Sequence, residues 1–332
     1  MNETKKSSYS VVVERVAFLI PMIAFMAMGV RSFKPYVLAY TVSTILQLVY
    51  CIWNLRDFIS APWLGFRTAA RQGWESIKIG INLMLANIAS MLILGVARFF
   101  IDLQWGIEKF GELSLALSLV NFFLAFVSQA SMVLFPALRQ GSKQEVRSFF
   151  KYAKDALSLL FPVAYLIYFP LVWILDLWLP NYAASFSYLI LLLPICVFDS
   201  KMNILCVTFF NVTRREKIML KVNIVAALGS FILTLVGVYV CKSIIFVIGS
   251  ITLMIILRSV FSERFISDML GFKQGPIPVA ELALTLVFIL SAELLPSVWA
   301  FVIYAVAYII FICVFSATLK GLWRKLRPAT RT

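Results

Sequence analysis

The sequence predicts an all-α polytopic membrane protein with about ten transmembrane helices, and three observations predict it. Hydrophobic residues make up 62% of the 332 positions and charged residues only 14%, against about 45–50% and about 25% in soluble domains. Apolar runs recur from Val11 to Leu319, each near the roughly 20 residues that carry a helix across about 30 Å of hydrocarbon. None of the runs alternates like a barrel strand, so each must satisfy its own backbone hydrogen bonds as a helix.

Ten spans are predicted, at 11–30, 36–55, 79–101, 113–136, 156–179, 184–211, 222–240, 243–261, 279–295 and 298–319. No segment between them is long enough for a separate soluble core. The polar start "MNETKKSSYS" precedes an apolar run without a small-residue cleavage site, so the first span is expected to stay in the mature chain.

Residues 1–55 hold two spans, and residues 56–78 form a linker. Within it Trp63, Phe66, Ala70, Trp74 and Ile77 recur at helical spacing beside Arg67, Arg71 and Lys78, the pattern of an interfacial amphipathic helix. A solvated connecting loop is the alternative. Residues 79–262 hold six spans, and residues 263–332 two more with a basic tail.

In the third span Asn87, Ser90 and Arg98 are polar; Asn87 and Arg98 stand three helical turns apart on one face. Arg98 lies near the outer end, where snorkelling or an i,i+4 pair with Asp102 is the plainer account. In the fourth, Ser114, Ser118, Asn121, Ala125 and Ser128 share one direction, with Gln129 at its margin. Small-residue packing explains the serines and alanine, whereas Asn121 and Gln129 argue for water or a solute.

The sixth span contains "LLLPICVFDSKMNILCVTFF", with Asp199 and Lys201 near its middle and Pro194 predicting a kink. A charge at a helix centre costs about 2.5–3.5 kcal/mol on insertion scales, so it seeks a bundle interior or a watery cavity. Two positions apart, the side chains point about 200° from each other, so they cannot neutralise one another. Each needs its own partner, either an interhelical salt bridge or a functional one. Asp176, Glu281 and Glu293 fall at predicted span ends and are expected to be solvated. The "NVT" at Asn211 matches a glycosylation sequon only by chance, since its place is a cytoplasmic helix end.

Lys and Arg outnumber Asp and Glu by 30 to 16. Alternate connections, counted from the N-terminus, hold 24 of the 30 basic residues, and the opposite connections hold five, at Arg31, Lys34, Arg98, Lys109 and Lys242. By the positive-inside rule both termini are cytoplasmic. Basic clusters between apolar runs point to anionic membrane lipids as partners and not to nucleic acid.

Histidine is absent, which removes the commonest general base and zinc ligand. The five cysteines, Cys51, Cys196, Cys206, Cys241 and Cys313, form no CxxC pair. Neither catalytic residue, metal nor cofactor is indicated.

The stretch "ANIASMLILGVARFFIDLQWGIEKFGELSLALSLVNFFLAFVSQASMVLFPALR" resembles the start of the second lobe of bacterial polysaccharide flippases, the Wzx-type O-antigen and capsule exporters of the MATE-like MOP superfamily. The stretch "YLILLLPICVFDSKMNILCVTFFNVTRREK" resembles that family's tenth helix. Gly111 to Ala116, following "WGIEKF", is similar to its recurrent glycine-then-small-residue turn. Together these motifs cover most of residues 73–262.

The resemblance implies two six-helix lobes around a central cavity that opens alternately to either side. Spans three to eight would form the second lobe, spans nine and ten an additional pair, and spans one and two the end of a first lobe lacking four helices. A second chain could supply those helices. The implied activity is translocation of a polyprenyl-diphosphate-linked oligosaccharide across the plasma membrane for cell-surface polysaccharide synthesis, without covalent chemistry. On that analogy Arg98 and Lys201 would attract the diphosphate, Asn87, Asn121 and Gln129 would hydrogen-bond sugar or phosphate, and Asp199 would be a candidate for ion coupling.

Rival readings are a MATE-like exporter of organic cations, a membrane-embedded glycan polymerase, ligase or acyltransferase, and a non-functional fragment. A cation would favour an acidic, aromatic cavity, and such an enzyme a sizeable outer loop. The longest outer connection here runs only from about Asp102 to Gly111.

Overall fold

The computed structural model describes residues 2–30, 32–54, 65–140, 143–179, 182–272 and 275–316. It forms two compact units, Met1–Ser76 and Ile77–Thr332. Among the described residues there is no strand, and nine helical segments are long and apolar enough to cross a membrane. The protein is an all-α, multi-pass membrane protein.

In the first unit, α1 (Asn2–Ala27) and α2 (Lys34–Asn54) pack as an antiparallel pair. Phe18 meets Tyr40 edge-on at 5.5 Å and Phe25 meets Tyr36 at 5.7 Å. Gly29, at φ 68°, turns the chain between them, a left-handed conformation that costs glycine little. The Tyr36 hydroxyl closes the turn by donating to the Val30 carbonyl at 2.9 Å. Residues 56–64 of the predicted linker, with Trp63, lie outside the described residues, as does the basic tail. From Phe66 the linker is helical and runs directly into the third predicted span.

That helix, α3 (Phe66–Gln140), is broken once, at Gly106. Its apolar part, Gly80–Gln129, has 50 residues, about 75 Å as a straight helix and over twice the hydrocarbon thickness. Gly106 divides it into the third and fourth spans with φ 80° and ψ 178°, a region essentially closed to residues with a Cβ. Helix resumes at once, so the turn is tighter than the ten-residue connection expected from sequence. Just beyond it Lys109 pairs with Glu112 at 2.8 Å, and Tyr188 donates to Glu112 at 3.3 Å.

Next come α4 (Lys143–Leu160), a 3-10 turn at Phe161–Val163 holding Pro162, and α5 (Ala164–Trp178). The sixth span is α6 (Ala183–Lys201), π turns at Met202–Val207, and α7 (Thr208–Val212). Pro194 sits inside α6, and the departure from α geometry comes later, where the Thr208 hydroxyl donates to the Asn203 carbonyl five residues back at 3.3 Å. Then follow α8 (Glu216–Leu235), π turns at Val236–Val240, α9 (Ile244–Met269), α10 (Ile277–Leu294) and α11 (Ser297–Val314). Ser243 caps α9 by accepting from the Phe246 N–H at 3.3 Å.

Helix α6 is the most enclosed, packed by α5, α9 and α10. Polar side chains join neighbouring helices where lipid could offer no hydrogen bond: Asn223 and Ser230 of α8 each donate at 2.9 Å to α3 carbonyls, those of Ala86 and Ile93. Small residues allow closer approach. A Cβ on Gly237 would stand 2.7 Å from Val247 Cγ2 and 2.9 Å from the Phe246 ring. The α10–α11 pair joins the same unit through an aromatic cluster. Tyr165 stacks on Phe288 at 4.5 Å and meets the Thr285 hydroxyl at 3.1 Å, and Tyr304 donates to the Pro162 carbonyl at 2.8 Å.

Candidate functional site

Five charged side chains on three helices meet inside the second unit. The periodicity of α6 sends Asp199 and Lys201 to different neighbours. The Lys201 ammonium lies 2.8 Å from Glu263 Oε2 of α9 and 2.7 Å from Glu281 Oε2 of α10. Its side chain is 2% exposed, and those of Glu263 and Glu281 are 6% and 1% exposed. The Phe198 ring lies 6.0 Å from the ammonium. On the other side Asp199 pairs with Arg258 of α9 and accepts from Asn203 at 3.2 Å. Arg258 spreads its two terminal nitrogens, one to Asp199 and one to the Ser90 hydroxyl of α3.

At this burial each ion loses several kcal/mol of hydration, offset only by close opposite charges and hydrogen bonds. The network supplies both, and it locks α6 to α3, α9 and α10. It gives Lys201 two carboxyl groups and no open surface, so in this conformation Lys201 cannot meet a solute. Asp199, at 18% exposure, is likewise committed to Arg258.

Glu281 is not the solvated span-end residue expected from sequence. Helix α10 begins at Ile277, one turn before it, and packing turns Glu281 onto Lys201. Arg258 and Glu263 are not legible from the span boundaries, because a span at 243–261 leaves Glu263 outside it and Arg258 at its end, where charges are ordinarily solvated. A signal was present: Arg258, Ser259, Ser262, Glu263 and Ser267 follow helical spacing, and all five are buried on one face of α9.

The other polar residues form a separate, outer feature on α3. Asn87, Ser118, Asn121, Ser128 and Gln129 are exposed, and Ser114 is half-buried. Ser118 and Ser128 satisfy their hydroxyls locally, on the carbonyls of Ser114 and Ala125 at 2.7 Å. Asn87, Asn121 and Gln129 make no side-chain hydrogen bond among the described residues. Arg98 is half-buried, its Nε has no partner, and among the described residues it forms no pair with Asp102. The structure therefore separates the sequence candidates: Asp199 and Lys201 lie in the interior network, whereas Asn87, Asn121 and Gln129 look outward.

A cavity of about 760 Å³ lies at one end of the unit, lined by Lys78, Asn82, Asn211, Arg214, Arg215 and Lys217 among others. Its cations suit phosphate groups. Among the described residues no group of His, Cys, Asp and Glu is placed to hold a metal ion, and the five cysteines are free thiols. No family model matches the chain, and no curated protein matches it.

Proposed function

We propose that the chain is part of a membrane transporter, a flippase that moves a polyprenyl-diphosphate-linked oligosaccharide from the cytoplasmic to the outer leaflet of the plasma membrane. The carrying observation is that both halves of α3, before and after Gly106, carry exposed amides. Asn87, Asn121 and Gln129 sit within apolar crossing segments with unsatisfied amides, which hydrocarbon would penalise and a hydrated pathway would not. Amides and hydroxyls along a path suit sugar hydroxyls, and the half-buried guanidinium of Arg98, whose Nε has no partner, would add attraction for a diphosphate.

Lys201 and Asp199 enter this reading in altered roles. They position α6 and do not contact the cargo. The distribution of basic residues supports cytoplasmic termini, which would set the Arg214–Arg215 cavity against the anionic lipid headgroups of the inner leaflet.

Complementation of a flippase-deficient bacterium by the assembly containing this chain tests the reading. Surface polysaccharide should return with the unmodified chain and fall with Asn121→Leu or Arg98→Ala at equal protein level. Unchanged export by both variants would remove the proposed pathway.

A further inference from the structure

The charges around Lys201 do not balance. One ammonium faces two carboxylates, all three at most 6% exposed. Arg258 meets Asp199, and on α4 Asp155 faces Glu263 and Lys201 with Lys154 and the exposed Lys151 beside it. The other neighbours, Cys206 of the π turns, Tyr165 of α5 and Ser158 of α4, are neutral groups. With both glutamates ionised, the buried trio of Lys201, Glu263 and Glu281 would itself carry one surplus negative charge in a low-dielectric interior, which burial disfavours strongly.

A second feature lies at the carboxyl group of Glu281. Lys201 holds Oε2 of Glu281, while its Oε1 has no hydrogen-bond partner although the side chain is 1% exposed. The buried Ser158 hydroxyl faces Glu281. It can donate to the carboxylate oxygen and accept from the acid, so it can serve either protonation state. A proton needs no space, which suits a site this closed.

We propose that Glu263 and Glu281 together form a proton-binding site that holds one exchangeable proton at neutral pH. Uptake converts one carboxylate to the acid and makes the three-residue cluster neutral. Release returns the proton to water and leaves one extra negative charge beside Lys201. The two glutamates share the proton as a coupled pair, and the site stands whatever solute the protein moves.

Infrared spectroscopy of the purified full-length chain at neutral pH tests this. The unmodified protein should show the carbonyl stretch of an un-ionised carboxyl, shifting on transfer to D₂O. Because the surplus carboxylate demands the proton, Glu263→Gln and Glu281→Gln should each abolish the band, and Lys201→Met should about double it. Absence of the band in the unmodified chain, its survival in either glutamine variant, or its loss on adding sodium would overturn the proposal. Should a glutamine variant fail to accumulate, ¹³C-carboxyl labelling of glutamate in the unmodified chain decides instead: the band must shift, and an unshifted band rejects the site.

Discussion

Lys201 Nζ lies 2.7 Å from Glu281 Oε2, a contact between residues 80 positions apart that fastens α6 to α10. Both are among the most deeply buried side chains of the second unit. Removing Lys201 takes the counterion from two buried carboxyl groups and leaves their oxygens without its hydrogen bonds. Lys201→Ala is therefore expected to destabilise the protein by about 3–5 kcal/mol, read as lost membrane abundance and a lower unfolding temperature in detergent. Replacing Lys201 by Met together with Glu263→Gln and Glu281→Gln should restore most of the loss.

Arg258 uses the fork of its guanidinium to hold Asp199 and Ser90 on different helices. Lysine keeps the charge but not the fork. Arg258→Lys should retain one contact and lose the other. A double-mutant cycle between Arg258→Met and Asp199→Asn should give a coupling energy of about 0.5–3 kcal/mol, and independent effects would show that the pair is not coupled.

Gly237 lets the π turns after α8 approach Val247 and Phe246 of α9. Gly237→Val drives two methyl groups into that contact and should cost about 1–3 kcal/mol. Chemical unfolding in mixed micelles measures it.

Asn121 faces outward and makes no hydrogen bond among the described residues. Asn121→Leu should change stability by no more than about 0.5 kcal/mol while lowering export severalfold. A stabilised variant with full export would mean that this face meets lipid.

Basic residues at Arg214 and Arg215 are expected inside and Lys109 outside. In a chain whose native cysteines are replaced by serine, Arg214→Cys should resist an impermeant thiol reagent added to intact cells. Lys109→Cys should react. The reverse pattern would invert the topology.

Much of the fold was legible because hydrocarbon imposes a length and a composition on every crossing segment. The 50-residue apolar run is broken between the two expected spans, at Gly106, and the helix resumes immediately. The opposite directions of Asp199 and Lys201 followed from helical geometry alone. Their partners did not, since Arg258 and Glu281 lie 59 and 80 residues away and only packing selects them. Glu281 misled because an acid near a predicted span end looks solvated until neighbouring helices cover it. The α3 stripe was visible as a direction on a helix, but its outward aspect depends on which other faces fill the core.

Helix α6 is held to α9 at two points, Asp199 on Arg258 and Lys201 on Glu263, and Lys201 also reaches Glu281 of α10. A rotation of α6 against its neighbours would have to break both sets of contacts at once, so the two ion pairs tie α6, α9 and α10 together. The break at Gly106 and the 3-10 turn at Phe161–Val163 lie outside that tie.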